Sequence, residues 1–133
     1  MRHTTIRGLA AAAVAGLAAV SIAPSPAVAA TPAITCEYIL WAKWRGGFGA
    51  DIEVRNTGPA ISNWVVRWSF DHPTTVVTTW NAVLTQTPDQ VATATSVPWN
   101  TTLATNALLR FGWSAVAAVT EVPTDLTVNG VPC

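Results

Sequence analysis

The sequence predicts an all-β fold, an antiparallel β-sandwich of two sheets. Three observations carry that prediction. Beyond residue 30 the apolar residues recur with period two, no stretch shows a helical stripe, heptad or capping box, and turn-forming residues separate nearly all of the periodic segments. About eight or nine short strands with no crossover helix leave a sandwich as the architecture that buries one face of each sheet.

The elements follow in chain order. Cys36, Tyr38 and Leu40 start the first strand. After Gly46-Gly47, the apolar Phe48, Ala50, Ile52 and Val54 alternate with Gly49, Asp51, Glu53 and Arg55. Successive side chains of a strand point to opposite faces, so this strand is half buried with its charges outward. Asn56-Thr57-Gly58-Pro59 ends it. Trp64, Val66, Trp68 and Phe70 then alternate with Val65, Arg67 and Ser69 as far as the turn Asp71-His72-Pro73. Thr- and Val-rich stretches over 76–80, 82–87 and 91–97 favour strands, because β-branched side chains suit a pleated, partly buried surface. Pro88-Asp89 separates the last two of these. Leu109, Phe111 and Trp113 alternate with Arg110, Gly112 and Ser114, and Leu126 and Val128 belong to a final strand before Asn129-Gly130.

Composition bounds the function. Of 133 residues, 50% are hydrophobic and only 11% charged, too apolar a balance for a disordered chain. Part of the excess is a leader: Arg2, His3 and Arg7 precede an uncharged Ala/Leu/Val run from Leu9 to Ile22, followed by Pro24, Ser25, Pro26 and the A-x-A pattern Ala27-Val28-Ala29. This order reads as a secretory signal peptide over residues 1–29, its apolar run too short to span a bilayer. The expectation is therefore a secreted, extracellular, free-standing and monomeric module over residues 30–133, with no membrane contact after cleavage. Without Arg2 and Arg7, five Lys/Arg face seven Asp/Glu, a net charge of −2 with no basic cluster. Nucleic-acid binding, which runs on neutralising phosphates, is excluded on that ground. Cys36 and Cys133 stand at the two ends of the domain in a chain bound for an oxidising compartment, so a disulfide joining the first and last strands is expected.

Seven tryptophans are more than one small core absorbs. Trp64, Trp68 and Trp113 lie on the apolar parity of clear strands and read as core. Trp44 sits between Lys43 and Arg45 before the Gly46-Gly47 turn, Trp80 precedes Asn81 at a strand break, and Trp99 lies in Val97-Pro98-Trp99-Asn100. These are edge and loop settings, where an exposed ring points to binding.

The order Cys36, Trp44-x-x-Gly47-Phe48-x-Ala50, Asn56-Thr57-Gly58, Trp64, Trp68-x-Phe70, Trp80-Asn81-x-x-x-Thr85-Gln86, Pro98-Trp99-Asn100, Phe111-Gly112 and Asn129-Gly130-x-Pro132-Cys133 resembles a family 2 carbohydrate-binding module of actinobacterial cellulases and xylanases. The resemblance covers essentially all of the chain after the leader. It implies a two-sheet sandwich closed by a terminal disulfide, non-catalytic binding to cellulose or a related β-1,4-linked polysaccharide, and a flat strip of ligand-binding tryptophans at Trp44, Trp80 and Trp99. In the xylan-binding branch an arginine three residues after the first surface tryptophan turns that ring edge-on. Here that position is Gly47, and Trp99 is present, so the resemblance is to the crystalline-cellulose branch. The family's polar contact positions are occupied by Asp51, Thr78, Arg110 and Ser114. One departure is that the segment from Cys36 to Trp44 is a residue shorter than the family pattern. A xylan- or chitin-binding module and a protein-interaction sandwich are the alternatives.

Catalysis is not expected. Asp51 and Glu53 share a strand face at a spacing that overlaps the carboxylate pairs of inverting glycosidases, but outward acids on a small sandwich are ordinarily solvated surface. His72 is the one histidine after the leader, and no His/Cys/Asp cluster has the spacing of a metal site, so neither metal nor cofactor is expected.

Overall fold

The computed structural model describes residues 33–133, together with Gly16. The signal peptide expected over residues 1–29 and its cleavage site lie outside that segment. Every regular element among the described residues is a strand: β1 (Ile34–Trp44), β2 (Gly47–Asn56), β3 (Ile61–Ser62), β4 (Val65–Ser69), β5 (Thr74–Trp80), β6 (Val83–Gln86), β7 (Val91–Thr95), β8 (Thr102–Leu103), β9 (Leu108–Ala117), β10 (Thr127–Val128) and β11 (Val131–Pro132). The seven longer strands fall on the periodic segments. The final strand expected at Leu126 and Val128 is β10, and the count exceeds eight or nine because β3, β8 and β11 are two-residue pairings, too short to show a period.

Two sheets stack into the expected sandwich. One has the order β1-β2-β9-β5, the other β11-β10-β4-β7-β6, and β3 pairs with β8 as a short separate ribbon. All pairings are antiparallel. The inward parity of β2 and β9 supplies Phe48, Ala50, Ile52, Val54, Phe111, Trp113 and Ala115, and the facing sheet supplies Val66, Trp68, Ala92, Ala94 and Val128, all fully buried. Trp68 stacks on Trp113 with ring centroids 4.7 Å apart, and Trp64, just ahead of β4, stacks on Phe111 at 5.5 Å. The three tryptophans assigned to the core are there. Alanines at 92 and 94 leave the room those indoles need, the alternation of large and small that a dense interior requires.

Each open side of the sandwich is fastened differently. On one side Cys36 of β1 is bonded to Cys133, the residue after β11, so the bridge ties an edge of each sheet to the other. With 97 residues of separation, closing the loop in the unfolded chain contributes on the order of 4–5 kcal/mol in the chain-entropy account. On the other side, edge strand β5 meets two glutamine side chains. Thr74 N–H donates to Gln90 Oε1 at 2.8 Å and Val76 N–H to Gln86 Oε1 at 3.3 Å, while Gln86 Nε2 donates to the Thr74 carbonyl and to Gln90 Oε1.

Candidate functional site

The outer face of the β1-β2-β9-β5 sheet carries the exposed rings, and a β-bulge decides which ones. In an unbroken strand, residues 41 and 44 point to opposite faces because their spacing is odd. The β1–β2 register shifts between Leu40 and Ala42, leaving Trp41 as the extra residue, and pairing resumes as Ala42 with Gly49 and Trp44 with Gly47. Such a bulge resets the alternation, so both tryptophans come to the same face. Trp41 was absent from the predicted set although it stands on the outward parity next to Leu40; the bulge brings Trp44 round to join it and has no sequence signal of its own.

Four indoles result. Trp41 is 50% exposed, Trp44 49%, Trp80 37% and Trp99 74%. The first three each rest on a glycine of a neighbouring strand. A Cβ on Gly49 would lie within 2.6 Å of Cε2, Cζ2 and Cη2 of Trp41, three consecutive atoms, so that ring covers the glycine with its face. A Cβ on Gly112 would meet Cζ2 and Cε2 of Trp80 at 2.5 and 2.6 Å, and one on Gly47 would meet Nε1 of Trp44 at 2.5 Å. The outward glycines 47 and 49 of β2 and 112 of β9 are therefore buried under rings. Trp41 and Trp80 lie 6.0 Å apart between centroids with planes inclined by 50°, so this pair is stepped, not coplanar.

Gly47 and Gly49 differ in what else they touch. A Cβ at 47 also runs into the Ala115 carbonyl oxygen at 2.6 Å, whereas the three atoms nearest a Cβ at 49 all belong to Trp41. Gly49→Ala is expected to lift Trp41 off the sheet and to weaken polysaccharide adsorption by up to about tenfold, with little change in melting temperature. Gly47→Ala is expected to lower the melting temperature, because β-sheet backbone must give way. Adsorption isotherms paired with thermal melts check both.

Trp99 is placed by a turn. Pro98 fits the second position of a β-turn closed by Asn100 N–H donating to the Val97 carbonyl at 3.0 Å, which puts Trp99 at the third position, pointing out. Trp64 Nε1–H donates to the Asn100 carbonyl at 2.7 Å and anchors the turn on the core.

The four polar positions separate. Thr78 is exposed and Ser114, its partner on β9, is partly exposed; both lie on the outer face. Arg110 is exposed, and its Nε–H donates to Asp51 Oδ2 at 2.7 Å and its Nη1–H to Glu53 Oε1 at 3.2 Å. The Asp51 hydrogen bond pushes the guanidinium above its ordinary pKa, which keeps it charged. Asp51, expected as an outward polar contact, is only 7% exposed. Its Oδ1 lies where a Gly112 Cβ would stand, close to the Trp80 ring, and has no hydrogen-bond partner among the described residues. The same guanidinium thus engages both members of the acid pair Asp51 and Glu53. A cleft of about 340 Å³ beside His72, Gln90, Val116 and Val119 contains none of the exposed rings.

The profile of a family described as cellulose binding domain matches residues 34–133. The chain is similar to endoglucanase CelA of Streptomyces lividans, with 35% identity over 99 residues that make up 73% of this chain and 21% of the enzyme, so it spans about a fifth of that relative's length. Among solved structures it is similar to the chitin-binding domain of Chi18aC from Streptomyces coelicolor, with a TM-score of 0.65 and 34% identity over 76% of this chain and 94% of that one. It is also similar to the cellulose-binding family 2 carbohydrate binding domain from ScLPMO10C, with a TM-score of 0.56 and 30% identity over 72% and 93% of the two chains.

Proposed function

The chain belongs to the cellulose binding domain family, and on that premise we propose that it is a secreted, non-catalytic module that adheres to an insoluble β-1,4-linked polysaccharide, crystalline cellulose in the first place. The observation that carries this reading is the set of exposed indoles Trp41, Trp44 and Trp80, laid on glycines of one sheet face, with Trp99 at its margin. A β-1,4-linked chain presents aliphatic C–H groups on the faces of its sugars and hydroxyls at the sides. The electron-rich face of an indole complements the former, and Thr78, Ser114 and Arg110 are placed to bond the latter. Export is supported by the order of charge, apolar run and A-x-A pattern over residues 1–29. A non-catalytic role is supported by Asp51, which is buried and held by Arg110 along with Glu53. A chitin surface is the second reading, favoured by the higher TM-score to the chitin-binding domain.

Depletion of the protein from solution by microcrystalline cellulose and by chitin, run in parallel, tests the proposal. Adsorption is expected to persist in half-molar sodium chloride, because stacking and neutral hydrogen bonds are not screened as ion pairs are. Release by that salt, or adsorption to neither solid, overturns it. Preference for chitin moves the assignment to the second reading.

A further inference from the structure

Trp99 is the most exposed of the indoles, and its ring stacks on no other aromatic. Three-quarters of the residue is in solvent, and among the described residues no other ring packs on it, yet its Nε1–H donates to Asn81 Oδ1 at 2.7 Å. Asn81 is itself held by two further hydrogen bonds. Its Nδ2–H donates to the Arg110 carbonyl at 2.6 Å, which settles which end of the amide faces Trp99. Its own carbonyl accepts from Asn100 Nδ2 at 2.8 Å, joining it to the turn that carries Trp99. Its backbone sits at φ +63°, a left-handed conformation that asparagine tolerates better than most residues. Asn81 also follows Trp80 directly in the chain, so one residue links the strand that ends in one exposed ring to the side chain of another.

We infer that Asn81 is the positioning residue of the polysaccharide face: it holds the Trp99 indole in a fixed orientation relative to Trp80, so that the ring meets a sugar already ordered. This rests on the reading of Trp99 as a ligand-contacting ring. A ring free to turn must be immobilised when ligand binds, and losing the Asn81 amide is expected to weaken adsorption by about three- to tenfold.

The test uses Asn81→Gly, which accepts positive φ without strain and removes only the amide, and Asn81→Asp, which keeps an acceptor for the Trp99 N–H. Adsorption isotherms on microcrystalline cellulose and on chitin are measured alongside the indole N–H resonances in a proton–nitrogen correlation spectrum. Asn81→Gly is expected to weaken adsorption and to move the Trp99 resonance toward that of a solvated indole. Asn81→Asp, which keeps the acceptor but loses the donor to the Arg110 carbonyl, is expected to fall between Asn81→Gly and the unsubstituted protein in both, and Asn81→Gly to have no further effect in a Trp99→Ala background. An equal loss in that background, or an unmoved Trp99 resonance, overturns the inference. If Trp99→Ala weakens adsorption and Asn81→Gly does not, the positioning role fails while the binding role of Trp99 stands. If Trp99→Ala is itself without effect, the reading of Trp99 as a contact fails, and the inference with it.

Discussion

Replacing Trp41, Trp44, Trp80 and Trp99 together with alanine is expected to abolish adsorption to polysaccharide and to leave a domain that still unfolds cooperatively. By analogy with bases stacked on aromatic side chains, each ring contributes about 1–3 kcal/mol. Four such losses exceed what a weakly adsorbing surface has to give, and depletion falls below detection. The fold survives because no exposed ring takes part in the stack between the sheets; Trp41, Trp44 and Trp80 lie over outward glycines and Trp99 stands in a turn. Single substitutions grade the effect, with Trp80→Ala costing at least about tenfold, a single ring's share. Depletion assays with circular dichroism melts measure both halves, and full adsorption by the quadruple variant would show that the ligand lies elsewhere.

Trp68→Ala is expected to do the reverse. Trp68 is buried, stacks on Trp113 at 4.7 Å and stands edge-on to Phe70 at 6.0 Å. Deleting a core aromatic costs about 3–5 kcal/mol, because neighbours only partly collapse into the void. In a domain of this size that is a large share of the roughly 5–15 kcal/mol of total stability, and the melting temperature falls by tens of degrees or the variant does not fold. Thermal or urea unfolding measures it. A loss below about 1 kcal/mol would remove the Trp68–Trp113 stack from the account of what holds the sheets together.

The sandwich was legible because it rests on local alternation. Phe48 to Arg55 and Leu109 to Ser114 announce their inward and outward faces two residues at a time, and the pairing of Cys36 with Cys133 was legible because these are the two cysteines of the sequence. Trp44, Trp80 and Trp99 were legible as exposed because each interrupts or ends a strand. Trp41 was missed although it stands on the outward parity set by Cys36, Tyr38 and Leu40; the same parity turns Trp44 inward, and only the pairing of β1 with β2 reveals the skipped residue that lets both face out. Asp51 was misplaced for a different reason. Its outward parity is as expected, but its cover comes from the neighbouring indole face, with Trp80 over the adjacent Gly112 on β9, a relation no local pattern carries. Of the two-residue strands, β10 was read from Leu126 and Val128, while β3, β8 and β11 escaped because a period needs more than two residues to exist.

The glutamine clasp on β5 bears on how such a domain behaves in numbers. A protein that accumulates on a solid reaches local concentrations far above those in solution, the condition under which exposed strand edges zip together between molecules. Gln86 and Gln90 occupy the amide groups of Thr74 and Val76, hydrogen-bonding sites along β5 that a neighbour's strand would otherwise recruit. The opposite side is closed by covalent sulfur. If the domain adsorbs as proposed, molecules packed side by side are expected to stay separate at these positions, because the β5 amides that would seed edge-to-edge pairing are already taken.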